Sequence, residues 1–123
     1  MKIKSYFAII LMLSMMLSGC GNKPDKTVIN YFKSLEAGKL DDAISYLSES
    51  AKRGVEGAGG KQALAASADV FKKHKGIKEI KIARREVTGE TAKIVYVYIF
   101  NDGSRADDYL PLIKENGKWK ISN

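Results

Sequence analysis

The chain is 123 residues long, carries a formal net charge of +7 and contains one cysteine, one histidine and one tryptophan. That length holds one domain. A lone cysteine excludes an internal disulfide and, with a lone histidine, excludes a cysteine–histidine metal cluster.

Lys2 and Lys4 make a short positive start, followed by an almost wholly apolar run from Tyr6 to Leu17 (YFAIILMLSMML) that only Ser14 interrupts. Charge, apolar run and small residues in that order describe a secretory signal peptide. The run falls short of the roughly 20 residues that a bilayer-spanning helix needs. It ends in Leu17-Ser18-Gly19-Cys20, which resembles the lipobox of bacterial lipoproteins. The resemblance implies a diacylglyceryl group on the Cys20 thiol and cleavage just before it. Several acyl chains on one residue anchor a protein stably where a single chain does not. The expected division is therefore a signal peptide over 1–19, a lipidated cysteine and tether over 20–24, and a folded domain over 25–123. Loss of Lys2 and Lys4 lowers the net charge to about +5. The expected location is the cell envelope. Gly21 in place of Asp after the cysteine favours the periplasmic face of the outer membrane in a two-membrane cell. In a one-membrane cell the protein would sit on the outer face of the plasma membrane. Export leaves no nucleic acid as a partner.

Pro24 and Asp25 open a helix whose stripe is Val28, Phe32 and Leu35, widened by Ile29 and Tyr31. Asp25 suits the positive helix start, and Gly38 a left-handed stop. A shorter helix follows, with Asp41 placed to cap its first turn and Ala43, Ile44 and Leu47 on its apolar side. The stretch from Ser48 to Gly60 holds four glycines and reads as a loop. A third helix spans Lys61 to His74, with Leu64, Ala68 and Phe71 as its stripe and Gly76 as its end.

After Gly76 the apolar period changes from 3.6 to 2. Ile77–Val87 reads as a strand with Ile80 and Ile82 on one face. Thr91–Phe100 (TAKIVYVYIF) is the strongest strand, rich in β-branched and aromatic residues. Arg105–Lys114 is a third strand, in which Pro111 requires an edge or a bulge. Trp119 and Ile121 share one face of a short fourth. Thr88-Gly89-Glu90, Asn101-Asp102-Gly103-Ser104 and Asn116-Gly117 are turns. Such short links favour antiparallel neighbours, so the expected fold class is α+β: three N-terminal helices packed on a four-stranded antiparallel meander.

The segment VINYFKSLEAGKLDDAISYL, starting at Val28, resembles the opening helices of small bacterial lipoproteins with the nuclear transport factor 2-like, cystatin-like fold. So do Gly89-Glu90-Thr91-Ala92-Lys93-Ile94, the Asp102-Gly103 turn and LIKENGKWKI from Leu112 to Ile121, which resemble that family's meander. The resemblance implies a cone: a strongly curved sheet around the helices, with a pocket inside. It supplies a shape and no substrate.

The glycines at 54, 57, 59 and 60 precede Lys61 and a helix, but Val55 and Gln62 break the phosphate-loop pattern, and no strand comes before them. His74, crowded by Lys72, Lys73 and Lys75, reads as a surface residue at a helix C-terminus, where cations are favoured. No metal or other cofactor is expected. Lys72, Lys73, Lys75, Lys78, Lys81, Arg84 and Arg85 form a basic run that suits either solvent or anionic lipid.

The most informative feature is Tyr96, Tyr98 and Phe100 alternating with Val95, Val97 and Ile99, which makes both faces of one strand apolar. Tyr96, Tyr98, Phe100, Tyr109 and Trp119 are the candidates for a pocket or interface. The expected role is a non-catalytic module that binds a small apolar ligand or an envelope protein, or that dimerises through its sheet face. Two alternatives remain open. One is an isomerase or dehydratase with Asp107 or Asp108 as base beside the tyrosines. The other is a purely structural envelope lipoprotein.

Overall fold

The computed structural model describes residues 23–57 and 59–123. The expected signal peptide, Cys20 and the first residues of the tether lie outside them. Among the described residues four helices come first: α1 (Pro24–Glu36), α2 (Leu40–Ser45), α3 (Glu49–Glu56) and α4 (Gly60–Lys73). The strands β1 (Ile77–Thr88), β2 (Thr91–Phe100), β3 (Arg105–Glu115) and β4 (Lys118–Ile121) follow as one antiparallel sheet in sequence order. Helices packed on a curved meander are the architecture expected from the sequence.

The helix α3 falls where the glycines suggested a loop. Ser48 caps it, its Oγ accepting the Ala51 N–H at 3.2 Å, and Ser48 is itself buried. Ala51 and Val55 pack against the core from its inner side. A cap and two apolar contacts outweigh the roughly 1 kcal/mol that Gly54 costs in a helix. Only Gly57 to Gly59 remains as the link to α4.

The concave face of the sheet carries the core. Val28, Phe32 and Leu35 of α1 and Leu64 and Phe71 of α4 meet Ala92, Ile94, Tyr96 and Phe100 of β2. Leu112, Trp119 and Ile121 close the far edge. Ile80 and Ile82 lie opposite Tyr98 and Tyr96 on the same face.

Two register shifts in β1, between Ile77 and Glu79 and between Ile82 and Arg84, bend the sheet. The second reverses the facing of the residues beyond it. Arg85, opposite Ile94, consequently turns inward, and its guanidinium grips the Asp25 carboxylate through two hydrogen bonds of 2.7 Å. Within the basic run, Arg85 is thus a clasp between β1 and α1.

Pro111 lies in β3, an inner strand, yet at a local edge. β4 pairs only with Leu112 to Glu115. The Ser122 N–H donates to the Pro111 carbonyl at 2.9 Å, so the proline nitrogen points the same way, past the end of β4, where no ladder donor is required.

Candidate functional site

One apolar cleft lies between α1, α4 and the concave sheet face, with a volume of about 410 Å³. Phe32, Phe71, Tyr96, Tyr98 and Phe100 form its aromatic floor. The Phe32 ring sits edge-on to Tyr98 at 4.9 Å and tilted to Tyr96 at 5.1 Å between centroids. Phe71 stands 5.6 Å from Tyr98. The period of two in β2 delivers the sheet aromatics to one face, and the i, i+4 stripe of α1 supplies Phe32. His74, Ser104 and Arg105 stand at the rim.

Burial raises the phenol pKa of Tyr31, Tyr96 and Tyr98 above the ordinary tyrosine value, most strongly at Tyr98. These hydroxyls stay protonated at any physiological pH. They can donate or accept a hydrogen bond to a ligand but cannot serve as bases.

The rim holds a histidine, an aspartate and a serine, which invites comparison with a nucleophilic triad. Asp102 Oδ2 lies 2.8 Å from His74 Nδ1, and Ser104 Oγ lies 3.1 Å from that same nitrogen. A triad uses the two opposite ring nitrogens, one for the serine and one for the aspartate. Ser104 Oγ instead donates to Asp102 Oδ1 at 2.5 Å. The Ser104 hydrogen bonds, with help from His74, hold the Asp102 carboxyl down at about 2. The His74 ring stacks on Phe100 at 4.6 Å. The cluster is a clasp that ties the β2–β3 turn to the end of α4.

Tyr96, Tyr98 and Phe100, singled out from the sequence, therefore converge on one cleft. Tyr109 and Trp119 do not join them. Tyr109 lies opposite Val95, on the outer sheet face, half exposed beneath Lys93 Nζ at 4.6 Å from the ring centroid. Trp119 is buried at the far edge and lines a different cleft. Asp107 and Asp108 are both exposed. Asp107 lies 3.9 Å from Arg105, and Asp108 Oδ1 accepts the Tyr109 N–H at 2.8 Å. Asp108 lies opposite Tyr96 and so shares its face, but without the burial that prepares a carboxylate for proton abstraction. On the outer face Val95, Val97 and Ile99 are half-buried and flanked by Lys81, Arg84, Arg105 and Asp107.

The rim cluster was not anticipated from the sequence. Its one signal there was the Asp102-Gly103-Ser104 turn, and nothing local says that this turn meets the end of α4. Among the described residues no group of three or more acidic, histidine or cysteine side chains is placed to hold a metal ion, and no helix is long and apolar enough to cross a membrane.

Several solved structures share the fold. A crystal structure from Campylobacter jejuni, described as a candidate NTF2-like (nuclear transport factor 2-like) transpeptidase, superposes with a TM-score of 0.71 at 22% identity, covering 83% of this chain and 99% of its own. An NTF2-like protein of unknown function from Silicibacter pomeroyi gives 0.53 at 18% identity, covering 80% and 87%. An uncharacterised cystatin-fold protein from Novosphingobium aromaticivorans gives 0.51 at 16%, covering 81% and 96%. At such identities the likeness establishes the fold, which is NTF2-like, and carries no activity. No curated protein matches the chain. The family described as Domain of unknown function (DUF4878) matches residues 18–122, and the chain belongs to it.

Proposed function

We propose that this member of the DUF4878 family is a lipid-anchored, non-catalytic module of the bacterial envelope that binds a small, largely apolar molecule. The observation that carries the reading is the cleft of about 410 Å³ floored by aromatic rings, two of them neutral tyrosines, with His74, Ser104 and Arg105 at its rim. Such a cleft suits a compact ligand that stacks on rings and makes one or two polar contacts. The neutral tyrosines, the exposed Asp107 and Asp108, and a serine sharing one ring nitrogen with an aspartate all argue for binding over turnover. The anchor rests on the Lys2 to Cys20 pattern.

The test uses Ala106, which is exposed, lines the cleft and lies opposite Tyr98. Ala106→Trp should fill the cleft from its rim without disturbing the core. Native mass spectrometry of the mature protein released from membranes is expected to show a retained small molecule on the wild type. The Ala106→Trp protein should lose it while keeping its urea unfolding midpoint. Equal retention by both proteins, or a wild type that carries nothing and binds no apolar dye in the cleft, refutes the reading. The same spectra report a dimer mass if the outer stripe of Val95, Val97 and Ile99 pairs two copies.

A further inference from the structure

A second cleft, of about 430 Å³, opens at the start of α1 and differs in kind from the first. Lys23, Lys26, Lys118 and Lys120 line it, with Tyr46 and the sole tryptophan, Trp119, among its walls. No carboxylate contributes to it among the described residues. Two separate elements assemble it. Lys23 is the residue just before α1 and Lys26 lies in its first turn, and Lys118 and Lys120 come from alternate positions of β4. Thr27 Oγ1, donating to the Trp119 carbonyl at 3.1 Å, fastens the two together.

The positive charge there is largely uncompensated. A helix N-terminus adds to it rather than offsetting it. Asp25, the one acid in the first turn of α1, is spent on Arg85. Burial and the neighbouring Lys52 and Lys118 push the Lys120 ammonium below its ordinary pKa, against a smaller opposing pull from Glu115 and Glu49. Lys120 Nζ has one donor occupied by the Ser45 carbonyl at 2.7 Å, which fixes its place at the cleft. Lysines on an edge strand also deter unwanted pairing, but that purpose explains neither Lys23 and Lys26, which are not on the strand, nor the concavity between them.

We propose that this cleft receives the phosphate-bearing headgroup of an anionic phospholipid and docks the tether end of the domain on the bilayer. The choice of occupant rests on the tether reading above. Lys23 lies three residues after Cys20, and three extended residues reach only about 10 Å. A lipid on Cys20 would hold this cleft within reach of the headgroup layer, where each nearby lysine gains free energy from anionic lipid.

The experiment uses the domain from Gly21 onward, which contains every buried residue of the core, so that binding is measured without the lipid. Trp119 in the cleft wall is the reporter. Vesicles of phosphatidylcholine with one-third phosphatidylglycerol should shift and, with brominated acyl chains, quench its emission in a salt-sensitive way, whereas pure phosphatidylcholine should not. Lys26→Gln/Lys118→Gln should weaken binding about 30-fold, from about 1 kcal/mol per lysine near an anionic surface. Lys72→Gln/Lys73→Gln, which removes the same charge from the end of α4, should leave binding and the urea midpoint unchanged. Equal binding to neutral vesicles, absence of binding, or equal loss in both double variants overturns the proposal. Binding of free glycerol phosphate by a protein that does not bind the vesicles assigns the cleft to a soluble phosphate ligand and also overturns the docking. The mass of the Cys20 peptide from cells tests the tether separately: an unmodified cysteine would end that reading without touching the vesicle result.

Discussion

Phe32 is the residue on which the aromatic floor of the first cleft converges. It is 5% exposed and makes ring contacts with Tyr31, Phe71, Tyr96 and Tyr98. Truncation of a buried phenylalanine to alanine costs about 3–5 kcal/mol, and aromatic pairs add about 0.5–1.5 kcal/mol each beyond burial without summing. Phe32 also borders an open cleft, so water can enter the space left behind and spare part of the cavity cost. The expected loss for Phe32→Ala is therefore about 3 kcal/mol, near the lower end of the range. Against a total of about 5–15 kcal/mol for such a domain, that is severe but survivable. With a urea dependence of about 1–3 kcal/mol per molar, the midpoint should fall by about 1–3 M. Equilibrium urea unfolding followed by Trp119 emission measures it, since the single tryptophan is 7% exposed and distant from the substitution in the chain. Val70→Ala is the matched control: Val70 lines the same cleft but is 47% exposed, and its loss should cost about 0.5 kcal/mol or less. A Phe32→Ala cost below about 1 kcal/mol, or a Val70→Ala cost equal to it, would refute the view that this cluster holds α1 to the sheet.

Other outcomes are equally open to measurement. The hydrogen bonds and charge of Arg85 lower the Asp25 carboxyl below its ordinary 3.8 despite partial burial. The clasp should therefore contribute fully above pH 3.8 and be lost as pH falls through the lower folded value. Asp25→Asn should cost about 1–2 kcal/mol at neutral pH, discounted for the half-exposed guanidinium, and flatten the acid limb of the stability curve. An Asp102 carboxyl titrating near 2 by NMR is expected, with Ser104→Ala raising it more than any change at His74, because the Ser104 hydrogen bonds are the larger cause. Gly60→Ala and Gly54→Ala should move stability in opposite directions. A Cβ at Gly60 would collide with the Val55 backbone, whereas one at Gly54 meets nothing within 4 Å and gains helix propensity of about 0.5–1 kcal/mol. Thermal unfolding of the two variants decides it.

The meander was legible because its signals were local. Alternation in Thr91–Phe100 and the three turn sequences dictate strands and hairpins without reference to the rest of the chain. Phe32 and Phe71 were readable as core from their helical stripes. The rest depends on contacts between distant segments. Nothing near Gly54 announces that Ser48 will be buried against Ile121, whose carbonyl accepts the Ser48 N–H at 2.8 Å, and so cap a helix. Nothing near Arg85 announces a bulge that swings it toward Asp25, 60 residues earlier. The lysine cleft was missed for the same reason: Lys23 looks like tether, Lys26 like a solvated helix residue, Lys118 and Lys120 like a solvated strand, and only the packing of α1 against β4, fastened by the Thr27–Trp119 hydrogen bond, makes them neighbours.

The two clefts are related by α1. Lys26 faces the basic cleft, and Leu35, nine residues later, lines the apolar one. At 1.5 Å per residue these two residues are about 14 Å apart along the axis, and the clefts adjoin at Asn30, which lines the basic one, and Tyr31, which lines the apolar one. A domain docked by its tether end therefore carries the aromatic cleft above the headgroup layer, with the His74–Asp102–Ser104 rim on the part of the fold farther along that axis. This arrangement separates two tasks that one surface would serve poorly. Lysines that hold lipid phosphate need water and counterions nearby, whereas an aromatic floor that holds an apolar ligand works by excluding both. It also yields a prediction in which the two sites must disagree. Lys26→Gln/Lys118→Gln should abolish most vesicle binding and leave the mass of any retained ligand unchanged, while Ala106→Trp should do the reverse. If either variant impaired both activities in a protein with an unaltered urea midpoint, the clefts would be parts of one site, and the ligand would be the lipid itself, its headgroup among the lysines and its chain running along α1 to the tyrosines.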